Sequence, residues 1–153
     1  MDQIEECISF LLGKAYQQVN QVARKRLAPY GITPMQFALL KVLWQRDGQS
    51  GADLGERLRL DAATITGILD RLEQAGLIAR RAHPSDRRVN SVFLTGPGWA
   101  LQGTVDPAME ALNQEIFGRF SGEDAARLRM LLAELGGAAV SEEAAAVARG
   151  DNR

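Results

Sequence analysis

Between Asp61 and Gly76 the apolar residues Ile65, Ile68, Leu69 and Leu72 return at three- and four-residue intervals, the spacing of a helix with one buried face. Asp61 stands where an N-cap carboxylate is expected, and Gly76 where a helix commonly ends. Upstream, Leu54, Leu58 and Leu60 form a brief apolar stripe in GADLGERLRL, which predicts a short helix and a tight turn. Downstream, in LIARRAHPSDRRVNSVFLT, the strand formers Leu77, Ile78, Val92, Phe93 and Leu94 stand on either side of HPSDRRVN. That pattern predicts two strands joined by a long, Pro-containing tip.

Longer helical patterns flank this segment. From Ile4 the positions Ile8, Leu11, Leu12, Ala15, Val19, Val22 and Leu27 keep helical spacing until Pro29 and Gly31. Thr33-Pro34-Met35-Gln36 then supplies an N-cap, a proline at the first helical position and a capping-box glutamine, followed by Phe37, Leu40, Leu43 and Trp44. After Gly96-Pro97 a helix is expected through Trp99, Val105, Met109, Leu112, Ile116 and Phe120. Ser121-Gly122-Glu123-Asp124 opens another through Leu128, Leu131, Leu132 and Leu135, which Gly136-Gly137 is expected to fray or bend before a polar tail from about Gly150.

The face of the 61–76 helix opposite its apolar stripe carries Ala62, Ala63, Thr66, Gly67 and Asp70, a small and flat set for an exposed surface. Small side chains suit a helix lying in a major groove about 12 Å wide with its N-terminal residues near base edges, although they also suit close helix packing. The neighbouring hairpin holds Arg80, Arg81, Arg87 and Arg88 against one acid, Asp86. Arginines so placed can neutralise phosphates or enter a narrow minor groove. A charged loop alone is often only solvated. Here a helix pair, a flat exposed helix face and a basic hairpin follow one another almost without spacer, which is the order of a winged helix-turn-helix that binds duplex DNA.

Whole-chain properties narrow the classes. At 153 residues, 46% hydrophobic and 24% charged, the chain has ordinary globular composition and room for one domain with a core. No run approaches the ~18 apolar residues of a membrane span, and the N-terminal MDQIEECISF is acidic where a secretory signal is basic; a cytoplasmic protein without membrane partner is expected. One cysteine, Cys7, and one histidine, His83, leave no intramolecular disulfide and no imidazole cluster for a metal. His83 reads as a loop or phosphate-side residue. No nucleophile is paired with a base and no glycine-rich phosphate loop follows a strand, so neither enzymatic activity nor a cofactor is expected.

The net charge of −1 runs against the usual basic character of nucleic-acid binders, but its distribution is uneven. Residues 1–48 hold six Lys/Arg and four Asp/Glu, residues 49–95 seven and six, and residues 96–153 five and nine. The acidic C-terminal part masks a mildly positive front, which predicts salt-sensitive binding by two reading units per assembly.

The run DLGERLRLDAATITGILDRLEQAGLIAR, the wing pattern Asp86-Arg87-Arg88 with Val92-Phe93-Leu94-Thr95, and the flanking helices together resemble the MarR-type (multiple antibiotic resistance regulator) winged-helix transcription factors over nearly the whole chain. The resemblance implies a mainly α fold: a winged helix-turn-helix lobe at 33–95 with a two-stranded β wing, and long dimerisation helices at 1–30 and 97–149. It implies that Asp86 braces the wing by ion pairing, that Arg88 is a minor-groove arginine, and that Arg71 supports backbone contacts. Ser50, Ala62, Ala63, Thr64, Thr66, Gly67 and Arg87 complete the candidate DNA contacts. Since Ala62, Ala63 and Gly67 offer only apolar or backbone contacts, base preference is expected to come from Thr66, thymine methyl groups and wing-read shape.

The resemblance further implies a homodimer on a pseudo-palindromic operator with half-sites about 10 bp or a multiple apart. It also implies a small effector, often an aromatic acid, that binds where dimerisation helices meet the DNA-binding lobe and releases DNA by favouring a wrongly spaced dimer. The candidate ligand residues are Tyr16, Arg24, Tyr30, Met35, Phe37 and Trp44, of which Phe37 and Trp44 at helical spacing equally suit the core. A repressor is expected. Two alternatives stay open. One is a cysteine-based redox regulator; however, the family's peroxide-sensing branch places its cysteine near Ser9 and tyrosines around Thr33 to Phe37 that this chain lacks, and Glu5 and Glu6 flank Cys7 where a reactive thiolate needs a cationic or hydrogen-bonding neighbour. The other is a winged-helix module that binds protein.

Overall fold

The computed structural model describes residues 3–86 and 88–137. Its elements are α1 (Ile8–Leu27), α2 (Pro34–Gln45), β1 (Gln49–Ser50), α3 (Gly51–Leu58), α4 (Ala62–Gln74), β2 (Ile78–Ala82), β3 (Asn90–Leu94), α5 (Gly96–Phe117) and α6 (Gly122–Leu135), with 3-10 turns at Ile4–Glu6 and Ala28–Tyr30. Two compact units result, one ending at Met109 and one beginning at Glu110.

Most helix starts are written within four residues. Thr33 and Gln36 close a reciprocal capping box at α2, the Gln36 amide donating to Thr33 Oγ1 at 3.2 Å and the Thr33 amide to Gln36 Oε1 at 2.8 Å. Ser50 and Asp53 do the same at α3, Asp61 caps α4 through the Thr64 amide, and Ser121 caps α6 through the Asp124 amide. α4 ends in a Schellman arrangement: Gly76 takes φ +71°, its amide donates to the Glu73 carbonyl, and the Leu77 amide reaches back to the Leu72 carbonyl. Leu77, expected in a strand, is therefore a turn residue.

In the first unit the predicted apolar faces converge. Leu27, Leu39, Leu40, Leu43, Leu54, Leu72, Ile78, Val92 and Val105 are fully buried in one core. The fold is the mainly helical winged helix-turn-helix expected from the sequence, with one strand more. β3 pairs antiparallel with β2 (Ile78↔Leu94, Arg80↔Val92, Ala82↔Asn90) and also with the two-residue β1 (Gln49↔Val92, Ser50↔Ser91). The wing hairpin is thus hydrogen-bonded directly to the start of α3. Buried Gln49 anchors this junction, its side-chain amide donating to the Val42 carbonyl at 3.3 Å and to that of Arg46.

Two helix limits differ from expectation. The first helix does not run unbroken from Ile4: Cys7 is extended (ψ 118°) and divides the 3-10 turn from α1. α6 closes at Leu135, where the Gly136 and Gly137 amides bond back to the Leu132 and Glu134 carbonyls and Gly137 takes φ +63°. Residues 138–149 of the expected dimerisation segment lie outside the described residues. In the second unit Leu112 and Ala125 are buried and the Arg129 guanidinium lies 3.9 Å from the Phe117 ring centre, while Phe120, Leu131, Leu132 and Leu135 are exposed.

Candidate nucleic-acid interface

α3 ends at Arg59, which adopts the left-handed conformation (φ 54°, ψ 46°), and the Leu60 amide donates to the Gly55 carbonyl. This turn joins α3 to α4 within three residues. A Cβ on Gly55 would come within 3.0 Å of the Leu60 carbonyl oxygen, so the close approach suits glycine. α4 leaves the turn with Ile65, Ile68, Leu69 and Leu72 buried and Ala62, Ala63, Thr64, Thr66 and Arg71 exposed. A side chain added at Gly67 would meet nothing within 4 Å, so the small-residue face is open to solvent. The Thr66 hydroxyl donates back to the Ala62 carbonyl at 2.8 Å, which turns its methyl group into its main available contact.

At the head of α4 the Asp61 carboxylate accepts from the Thr64 amide at 2.7 Å and its hydroxyl at 3.0 Å, and these bonds hold its pKa below the usual aspartate range. A lowered folded-state pKa gives stability that is present above the ordinary aspartate value of about 3.9 and is lost as pH falls through the folded value. The thermal midpoint of the wild type should therefore exceed that of Asp61→Ala between about pH 5 and 7, and the gap should narrow below about pH 4. A gap that stays constant to pH 2.5 in parallel melts would refute the cap.

At the wing tip Asp86 accepts from the Arg88 side chain (Nε 3.2 Å, Nη2 3.4 Å) and the Arg88 amide (3.0 Å), which lowers its pKa. The Arg88 side chain remains 90% exposed, braced at its base and projecting from the tip. Arg87 lies outside the described residues. His83 fastens the loop: its amide donates to the Val89 carbonyl at 2.7 Å, and its Nδ1 faces the Ser85 hydroxyl at 2.8 Å. Ser50 at the start of α3 and Asp86 at the tip line one open cleft of about 320 Å³, together with Arg46, Asp53 and His83. Ala62 and Thr66 line a second, apolar cleft of about 320 Å³ against Ala52, Glu56 and Leu60 of the preceding helix and turn.

Sequence reasoning counted Arg80 in the positive projection, and the structure corrects this. Arg80 is turned back onto α4, donating to Glu73 Oε2 through Nε (3.0 Å) and Nη2 (2.6 Å) and to Asp70 Oδ1 through Nη2 (2.6 Å). Asp70, read as part of the free face, is thereby occupied. Arg81 stacks with its guanidinium 5.3 Å from the Phe93 ring centre. The only signal for the Arg80 cluster was two acids three residues apart on α4, one helical turn, which placed them together without naming their partner.

Of the six candidate ligand residues, Phe37 and Trp44 meet edge to face with ring centres 6.1 Å apart. Trp44 is buried in the core, and its indole N–H donates to the Gly98 carbonyl at 3.0 Å. Tyr16, Arg24, Tyr30 and Met35 are exposed, and none of the six lines either cleft. The expectation that Cys7 lacks a hydrogen-bonding neighbour is also corrected: its Sγ lies 3.1 Å from the Ser9 hydroxyl, which with the Phe10 and Ser9 amides lowers the thiol pKa. Among the described residues no group of three or more His, Cys, Asp or Glu could hold a metal ion, and no helix is long and apolar enough to cross a membrane.

An exposed small-residue helix behind a tight turn, flanked by a hairpin bearing a braced arginine, defines a DNA-reading winged helix-turn-helix. Comparison with known proteins agrees. The MarR family model matches residues 32–89. The regulator MhqR of Bacillus subtilis is 30% identical over 126 residues, 82% of this chain and 87% of that protein. The transcriptional repressor NicR of Pseudomonas putida is 32% identical over 129 residues, 84% of this chain and 82% of that protein. The structure of Bordetella bronchiseptica BpsR, whose DNA binding is regulated by 6-hydroxynicotinic acid, superposes with a TM-score of 0.84 at 28% identity, covering 91% of this chain and 99% of that one. The chain belongs to the MarR family, and it is a transcriptional regulator and not an enzyme.

Proposed function

We propose that the chain is a homodimeric repressor that binds a pseudo-palindromic operator and releases it on binding a small aromatic acid. The observation that carries the reading is the pairing of the open face of α4 with the exposed, Asp86-braced Arg88. In the reading, α4 enters the major groove and Arg88 the adjoining minor groove, with Ser50, Ala62, Ala63, Thr64, Thr66, Gly67, Arg71 and Arg87 as the further contacts. Residues 33–95 form the DNA-reading lobe. Residues 1–30 and 97–149 form the dimer, which is supported by the exposed Ile4, Ile8 and Leu11 toward the N-terminus and Leu131, Leu132 and Leu135 toward the C-terminus, a burden of apolar surface that a second copy would cover. Repression and an aromatic acid effector are supported by what NicR and BpsR are named for. Tyr16, Arg24, Tyr30 and Met35 remain the surface candidates for the effector.

Fluorescence-polarisation titration of the DNA upstream of the coding sequence, over a salt series and with a panel of aromatic carboxylates, tests the whole reading. Sequence-selective binding that weakens with salt and is released by one compound is expected. Binding without sequence preference at every salt would overturn it in favour of a protein-interaction module.

At the level of bases, the exposed Thr66 methyl is matched to a thymine methyl. Thr66→Ala should relax preference at one operator position, whereas Thr66→Val should keep it. Equal specificity of wild type and Thr66→Ala across single-base operator variants would remove Thr66 from the reading set.

A second reading, release by thiol oxidation, draws on the Cys7–Ser9 contact. It requires peroxide to release DNA from the wild type and not from Cys7→Ser.

A further inference from the structure

We propose that Arg80 is a positioning residue for DNA binding: by bridging Asp70 and Glu73 it sets the wing against the recognition helix and screens two carboxylates from the duplex. The inference rests on the DNA-binding reading above. Thr66, Asp70 and Glu73 follow one another at four- and three-residue steps, so they occupy one side of α4. Without a partner, the two acids would extend the small-residue face as negative charge toward the phosphates, where each would weaken binding.

Arg80 is held at two levels. Its guanidinium donates three bonds to the acids, and its backbone amide donates to Glu73 Oε1 at 3.1 Å. Main chain and side chain of one β2 residue are therefore tied to the helix, and the Arg80 side chain is only 27% exposed. Two residues further the strand ends and opens into the tip that carries Arg88. A small rotation of β2 at Arg80 would be carried to Arg88, so the bridge sets where the minor-groove arginine arrives once α4 is seated. The fork geometry matters: a planar guanidinium presents Nε and Nη2 to the two carboxylates, whereas the three N–H donors of lysine radiate from one nitrogen and cannot reproduce that fork.

Operator affinity of Arg80→Lys, Glu73→Gln and the double variant separates this role from simple charge balance, in which lysine would serve as well as arginine and Glu73→Gln, by removing a negative charge, would strengthen binding. Each single variant should lose about tenfold in affinity, and the double variant about the same tenfold rather than a hundredfold. In either background Arg88→Ala should cost about tenfold less than it does in the wild type, because the wing is delivered less accurately to its groove. Wild-type affinity for Arg80→Lys, or additive losses in the double variant, would overturn the proposal. Amide hydrogen exchange on the DNA-free proteins gives an independent reading: the amides at position 80 and at His83 should exchange faster in both single variants while α1 and α2 stay unchanged, and unaltered wing exchange would overturn the clamp. If the wild type selects no duplex, the DNA-binding reading falls by itself, and the exchange data still decide whether the bridge holds the wing.

Discussion

Gly98→Ala is expected to destabilise the winged-helix unit by about 3 kcal/mol or more, because an added Cβ makes its closest approach there among the described glycines. A Cβ at Gly98 would lie 2.1 Å from the Leu77 carbonyl oxygen and 3.2 Å from Leu94 Cδ2. The nearer atom is backbone, and it has no room to yield. The Leu77 carbonyl accepts the Thr95 amide at 3.1 Å, and the Leu77 amide closes the Schellman turn of α4. Gly98 cannot retreat either: its carbonyl accepts the Trp44 indole N–H at 3.0 Å and its amide donates to Thr95 Oγ1 at 3.2 Å. Relieving the clash would break a buried hydrogen bond, whose unpaired donor costs about 1–3 kcal/mol. Urea unfolding monitored by tryptophan fluorescence measures the loss. Gly103→Ala serves as control, since nothing lies within 4 Å of its added Cβ and alanine favours a helix; it should be neutral or slightly stabilising. Equal stability of the two variants would show that α5 does not sit on the Leu77 turn as described.

Arg88→Ala should weaken operator binding without weakening the fold. Arg88 is 90% exposed and, among the described residues, its side chain bonds to the neighbouring Asp86, so its removal leaves no buried group there unpaired. In the proposed complex it is a minor-groove contact, and such a contact contributes about 1–3 kcal/mol. A two-fold assembly loses two of them, so about 2–6 kcal/mol, or at least about thirtyfold in affinity, is expected. The slope of log affinity against log salt should become shallower by about two as both arginines cease to displace counterions. Unchanged thermal stability must accompany the loss. Full affinity in Arg88→Ala would remove the wing from the interface and leave α4 to act alone.

The parts of this molecule that were legible in the sequence are those whose cause is short-range. Thr33 with Gln36, Asp61 with Thr64 and Ser121 with Asp124 announce their helices because capping partners lie within three residues. The open face of α4 was equally legible, because helical periodicity alone sorts Ile65, Ile68, Leu69 and Leu72 from Ala62, Thr66 and Gly67. What escaped was set by tertiary contact. A two-residue strand has no periodicity, so β1 emerges only once β3 lies beside Gln49 and Ser50. Arg80 was indistinguishable from its neighbours until the hairpin brought it over Asp70 and Glu73; charge along a chain does not say which charges meet. Trp44 likewise reads as core or pocket until the Gly98 carbonyl is found against its N–H.

The local closure of these caps has a bearing on how the chain reaches its fold. Four helix starts and the β2–β3 hairpin can each form without waiting for distant residues, and such elements assemble in microseconds. The entropic burden of long loop closure is left to a few contacts that join distant segments of the first unit: Gln49 against Val92, and the Trp44 indole against Gly98. The two-residue strand that periodicity could not reveal thus lies among the contacts with the longest loop to close, where the helix pair and the wing cease to be independent and the reading head acquires its shape.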